Sequence, residues 1–441
     1  MQHLIGMKRI VFLLALAGMV ACSQKGDGTQ DTPGTEVTDP ITIESPSAGK
    51  VATRVVLSPE QQAFMKAGQA FGFRCMEKLY TSQDLIFSPL SLQYALAMAA
   101  NGASGETADE IVATLGYGTS IQDLNAYCNL LLRQLPSADP SVSLKLTDAM
   151  IVLERFPVQA AFKNTLENLY YAPVEYINPT GKAEVVARIN DWAKRNTNGF
   201  IDPFLSPDDI SDDFVAAILN ALYFKAKWSG NYPMFEEDFT QSEAFYLDDG
   251  SVTKAPLMRT TRYFGYTERN GYRVVELPYG DAGSYVMYVL LPDTKGAGGL
   301  AKLVAQLARE EWSSVIANLD RNTEVILKLP KFEAENKLGL KQTLAALGIQ
   351  RAFSPAAQFD AMFDVPDATF CISNVLQKAR IAVAEWGTEA AAVTAVMVDA
   401  TSAGPGDEPK RVEFFADHPF AYVIAEKSSG AILFQGTFTG K

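Results

Sequence analysis

The chain has 441 residues, 48% of them hydrophobic and 20% charged, with a formal net charge of −13. That composition supports a substantial buried core, and the acidic balance excludes the electrostatic footprint of a nucleic-acid binder. The two histidines are His3 and His418, so a Ser-His-Asp or Cys-His enzyme would have to use His418, and a zinc site would lack most of its usual ligands. No metal, cofactor or catalytic residue is expected, although carboxylate chemistry among 51 acidic residues stays open. At the start of the chain, Lys8 and Arg9 precede the apolar run Ile10 to Ala17, and Gly18-Met19-Val20-Ala21 leads into Cys22. A basic segment, a short apolar run and small residues before a cleavage point predict a signal peptide over 1–22, too short to span a membrane.

The small residue immediately before Cys22 resembles a bacterial lipobox, which implies a lipid on Cys22; the alternative is export with Cys22 unmodified. Ser23 follows the cysteine, so the expected destination is the outer membrane or cell surface. Residues 23–56 are rich in Gly, Ser, Thr, Pro and Asp and cannot bury enough surface to offset their ordering entropy, which predicts a disordered tether. From residue 57 to 441 no second linker interrupts the chain, so one large domain is expected. Cys75, Cys128 and Cys371 are too widely spaced for a disulfide scaffold. Cys75 shares the helical stripe Phe64, Ala67, Phe71, Leu79, so a buried thiol is expected there.

Helical signals fill the first third of that domain. In "FSPLSLQYALAMAANG", Ser88 is the predicted cap, Pro89 sits in the first turn and Gly102 marks the stop. "TADEIVATLG" predicts a capping box of Thr107 and Glu110 with a stop at Gly116, and "VVARINDWAKRNTNG" a helix ending near Asn198-Gly199. After about Phe214, "AAILNALYFKAKW", "YRVVELPYG", "SYVMYVLLPD" and "TEVILKLPKF" carry the β-branched and aromatic residues of strands. A helix intervenes at "LGLKQTLAALGI", and "PFAYVIAEKSSGAILFQGTF" closes the chain as a hairpin. Helices and antiparallel strands in one unit give an α+β fold.

Taken in order, "FSPLSLQYALAMAANGASGETADEI", "INDWAKRNTNGFI", "ILNALYFKAKW", "ELPY", "YVLLPD", "LPKF", "LAALGI", "FFADHPFAYVI" and "GAILFQG" resemble the landmarks of the serpins over residues 57–441. The resemblance implies the serpin fold: three β-sheets, eight or nine helices and an exposed reactive-centre loop before the C-terminal hairpin. Glu385, Trp386, Gly387, Thr388, Glu389, Ala390, Ala391 and Ala392 resemble the hinge of inhibitory members, in which the cleaved loop inserts into the main sheet. The implied function is suicide-substrate inhibition of serine endopeptidases, with cysteine endopeptidases as a further target class, by a monomer anchored through lipidated Cys22. Charged or proline-containing hinges often mark the alternative, a non-inhibitory binding or carrier module; this hinge has no proline and no charge on the face that would be buried, so inhibition is the reading taken.

The residues support insertion independently. If 388–399 form a buried strand, one face carries Thr388, Ala390, Ala392, Thr394, Val396 and Val398, while Glu389 and Asp399 share the other. Burying an unpaired carboxylate would cost several kcal/mol, so this parity permits insertion. Hinge-to-cut spacing in the family implies the Thr401-Ser402 bond, with Met397, Val398 and Ala400 as alternative cut sites. Such residues suit elastase-like or subtilisin-like proteases. Two departures stand out: Trp386 replaces a small polar or charged hinge residue, and Gln377 stands where many serpins have a histidine.

Overall fold

A computed structural model describes residues 8–18, 43–44, 51–116, 121–230, 233–388 and 410–441. The apolar leader run forms a strand, β1 (Lys8–Gly18), followed by the two-residue β2 (Ile43–Glu44). α1 (Pro59–Leu79) starts at a complete capping box: Gln61 N–H donates to Ser58 Oγ, and Ser58 N–H donates back to Gln61 Oε1. Its buried face includes Phe64, Phe71 and Cys75, as the stripe requires. β3 (Leu85–Phe87) leads into α2 (Pro89–Gly102), whose first turn is closed by Ser91 N–H donating to Ser88 Oγ at 3.2 Å; Gly102 is its last residue.

α3 (Gly105–Leu115) ends at Gly116 with φ +81°, a left-handed cap that glycine adopts without strain. The capping box predicted at Thr107 and Glu110 does not form, because the helix begins earlier, at Gly105. Thr107 accepts instead from the Gln358 amide, and Glu110 from the amides of Gln350 and Arg351. Anchoring a distant segment prevails over local capping here. α4 (Ile121–Gln134), β4 (Ser143–Leu153), α5 (Ala160–Leu169), β5 (Val174–Ile177), α6 (Lys182–Asn196) and β6 (Phe214–Lys227) follow.

The second half is mostly strand: β7 (Gln241–Tyr246), β8 (Val252–Arg269), β9 (Tyr272–Tyr279) and β10 (Tyr285–Pro292), then α7 (Gly299–Leu307) and α8 (Trp312–Ala317). β11 (Asp320–Pro330), β12 (Phe332–Gly339), α9 (Lys341–Leu347), β13 (Phe370–Val383) and β14 (Gly387–Thr388) come next. β15 (Arg411–Phe415) precedes the closing hairpin β16 (Phe420–Glu426) and β17 (Ile432–Phe438).

The main sheet has the order β12-β13-β1-β6-β4-β2, with β5 on β4 and β14 on β6. The remaining strands run β15-β11-β8-β9-β10-β16-β17-β3. The long β8 serves two of the three sheets: β7 and β11 pair along it as far as Tyr266, while β9 takes Gly265 to Arg269. With nine α-helices among the described residues, the fold is α+β, as expected.

β1 lies between β6 and β13 and is parallel to both, from Lys8 opposite Phe370 to Gly18 opposite Phe224. Two facing strand edges would otherwise present unpaired N–H and C=O groups, and an extended apolar segment satisfies both at once. Ile10 is fully buried, and Lys8 sits over the Phe156 ring at 4.5 Å. Near the end of residues 23–56, Thr53 donates to Ser137 O and Val55 N–H to Ser428 Oγ, with Val55 buried. The packed body therefore reaches back into the segment expected to be a tether. A chain lacking residues 1–21 should lose amide-exchange protection along β6 and β13 relative to the full chain; equal protection in both would show that β1 does not hold that ladder.

Candidate functional site: the hinge at the top of the main sheet

β13 ends at Val383, and the chain reverses at once. Ala384 N–H donates to Gly387 O at 2.9 Å and Gly387 N–H to Ala384 O at 3.2 Å. β14 then runs antiparallel to β6, with Gly387 opposite Lys227 and Thr388 opposite Ala226. Gly387 has φ +143°, and a Cβ there would lie 2.2 Å from Ala226 O, so this close approach is open only to glycine. Along β6, β1 stops at Phe224 and β14 begins at Ala226.

Aromatic and polar groups clamp this turn. Trp228, just past β6, stacks on Tyr279 with centroids 4.3 Å apart and planes 11° from parallel. Its indole donates to Ala384 O at 2.9 Å, and its amide to Trp386 O at 3.0 Å. Tyr279 Oη and Thr388 Oγ1 are 2.7 Å apart, both fully buried. Burial pushes the Tyr279 phenol well up, against the Thr388 hydrogen bond, so the ring is neutral. Trp386 is half-buried and directs its Nε1 to Glu237 Oε1 at 3.3 Å, so the unusual indole packs against the turn after β6.

Glu385 is 3% exposed. Burial alone would raise its carboxyl, but hydrogen bonds from Lys331 (2.9 Å) and Thr240 (2.9 Å), together with backbone, hold it below the usual carboxylate range. Lower in the slot, Gln377 accepts from Ser88 N–H at 2.9 Å and donates to Ser88 O at 3.0 Å, a neutral tie that binds α2 to β13. His418 is buried and engaged with Asp417 Oδ1 and Pro292 O, each at 2.8 Å, away from any nucleophile arrangement. Cys75, Cys128 and Cys371 are buried and form no disulfide; burial raises the Cys75 and Cys128 thiols, which suits packing and not reaction.

Of the residues nominated from sequence, Glu385, Trp386, Gly387 and Thr388 come together here. Glu389, Ala390, Ala391, Ala392, Met397, Val398, Ala400, Thr401 and Ser402 lie outside the described residues, as does Cys22. Trp228, Tyr279, Lys331 and Thr240 were not singled out by sequence reasoning. Trp228 and Tyr279 do close the strand-like runs "AAILNALYFKAKW" and "YRVVELPYG", but only the fold stacks those two ends.

The serpin (serine protease inhibitor) family model matches residues 66–440. The chain belongs to the serpin family. The curated wheat (Triticum aestivum) protein Serpin-Z1C is 33% identical over 366 residues, covering 80% of this chain and 89% of its own. Among solved structures, the thermophilic serpin tengpin in its native state superposes with a TM-score of 0.76 at 28% identity, covering 88% of this chain and 96% of tengpin. Cleaved Serpin 42Da gives 0.75 at 26% identity, covering 87% of this chain and 99% of that one. Serpins are generally protease inhibitors and not enzymes.

Replacing Lys331 by Met should leave the buried Glu385 carboxylate under-paired and cost about 1–3 kcal/mol near neutral pH. Because the Glu385 carboxyl is held low, the pair stabilises above its unfolded value and is lost as pH falls through the lower folded one. The melting gap between wild type and K331M should therefore be open at neutral pH and close in acid; a gap that persists in acid would assign the loss to packing alone.

Proposed function

We propose that this serpin inhibits serine endopeptidases as a suicide substrate, its loop being cut and then inserted into the main sheet. The supporting observation is the continuity of strand, turn and slot. The chain leaves β13, reverses through Ala384–Gly387, and runs antiparallel to β6 at Ala226 and Lys227. A full-length strand fits between β6 and β13 immediately below it. Thr388, the first residue of the face that would point into the core, is already buried. Export with cleavage before Cys22 would clear the slot of β1.

An inserted arm gains backbone hydrogen bonds on both sides, each worth about 0.5–1.5 kcal/mol net, so a dozen residues gain about 10 kcal/mol. While both loop ends are anchored, at Ala384–Gly387 and at β15, the arm cannot thread down the slot. Cleavage frees one end. A serine protease attacking the loop is held as an acyl-enzyme ester on the residue before the cut. Insertion then carries it on the order of 40 Å at about 3.3 Å per residue, and a catalytic geometry that tolerates little misplacement is pulled apart. We place the cut at Thr401-Ser402, within reach of elastase-like or subtilisin-like enzymes, and the anchor on Cys22 at an outer membrane or cell surface. This chain contributes a carbonyl and a spring, and no catalytic side chain.

Mixed with an elastase, the protein should yield a gel-stable band heavier by one protease, whereas A390R, which places a charge on the inward face, should be trimmed like an ordinary substrate. Trimming of the wild type would indicate a non-inhibitory carrier or binding module, and inhibition retained by A390R would reverse the assigned face. Loop-cleaved protein should also melt far above intact protein; equal melting temperatures would remove insertion from the mechanism.

A further inference from the structure

One row of residues crosses the main sheet at the level of the slot: Gln377 on β13, Leu14 on β1, Asn220 on β6 and Asp148 on β4. Asn220 Nδ2 donates to Asp148 Oδ1 at 2.7 Å, and both side chains are almost wholly buried. Asp148 Oδ2 and Asn220 Oδ1 have no hydrogen-bond partner among the described residues. Both atoms are acceptors when the carboxyl is ionised, and they belong to groups already joined by one hydrogen bond. A single proton on Oδ2 turns one of them into a donor and answers both deficits, in an acid–amide ring that closes β4 onto β6.

We propose that Asp148 is a neutral carboxylic acid that donates to Asn220, and that this proton sets how firmly β4 is held to β6. Burial pushes the Asp148 carboxyl up to about 7, the Asn220 hydrogen bond opposing it. Among the described residues, no charge offsets that burial. Cys128 of α4 and Tyr170 after α5 are the titratable groups that feel the Asp148 charge, and burial raises both, so both are neutral. β6 contributes the uncharged Asn220. β2 and β5 pair with β4 on either side of Asp148, at Lys145–Leu146 and at Met150–Leu153. α6 packs on β4 and β6 with a buried face of Val185, Val186, Ile189, Trp192, Ala193 and Asn196, none of them ionisable. Gln377, where a histidine would titrate, is neutral, so the proton-sensitive position in this row is one sheet-half away, at Asp148.

The sign follows from the raised value. The stabilisation is complete below the unfolded carboxyl value and is lost as pH rises through about 7. Asp148→Asn keeps the ring without a proton and serves as the control. Isotope-edited infrared spectra of the full chain should show a protonated aspartic acid band that fades through about pH 7 and is missing from D148N. The wild-type melting temperature should fall relative to D148N as pH rises from the unfolded carboxyl value to about 7, and level off above it. An Asp148 already ionised near pH 5, or parallel melting profiles, would overturn the proposal. Should D148N fail to fold, the wild-type infrared titration decides alone.

Discussion

Strands β6 and β13 run side by side with room for one strand between them, and their facing edges carry backbone groups that have to be paired or solvated. Adjacent strands sit about 4.7–4.9 Å apart, so the opening accepts an extended segment and nothing wider. The leader strand β1 fills it along most of its length, and the turn leaving β13 takes the top. The stacked Trp228 and Tyr279, the buried Glu385–Lys331 pair and the Gln377–Ser88 tie are all arranged around that opening.

The contacts at the top hold the hinge in place without joining it to the full ladder. Glu385, Trp386 and Thr388 are each bound to a group outside β13, and each bond is of ordinary strength. A dozen-residue strand with ladders on both sides outweighs a handful of such contacts. On the proposed mechanism, that imbalance makes anchoring of the loop's far end at β15 the controlling feature and a single peptide cleavage the trigger. The row through Gln377, Asn220 and Asp148 crosses the same sheet, and its buried Asp148–Asn220 hydrogen bond ties β4 to β6.

Local chemistry was legible wherever a residue's role was met within its own element. The stripe through Phe64, Phe71 and Cys75, the Ser88 cap and the left-handed stop at Gly116 all depend on neighbours three or four positions away. Thr107 and Glu110 show the limit. Their spacing suits a capping box, but their oxygens are taken by amides of residues 350, 351 and 358, which only the folded chain brings near. Trp386 was visible as an odd hinge residue, while its partner Glu237 was not, because nothing in sequence ties the two positions. The leader's apolar run reads as a targeting segment on composition, and the same apolar, extended character suits the open ladder of the sheet.

By itself the sequence established the family landmarks, the alternating small and polar parity of the loop arm, the lack of histidine chemistry and the order of helices and strands, because each is a matter of residue type and short-range period. Tertiary structure alone decided that a Cβ added at Gly387 would lie 2.2 Å from the Ala226 carbonyl, that Trp228 and Tyr279 clamp the turn, and that Asp148 meets Asn220 in a buried row. Those contacts join positions tens to hundreds of residues apart, and the physical quantities that matter there, desolvation and strand register, exist only once the sheets have closed.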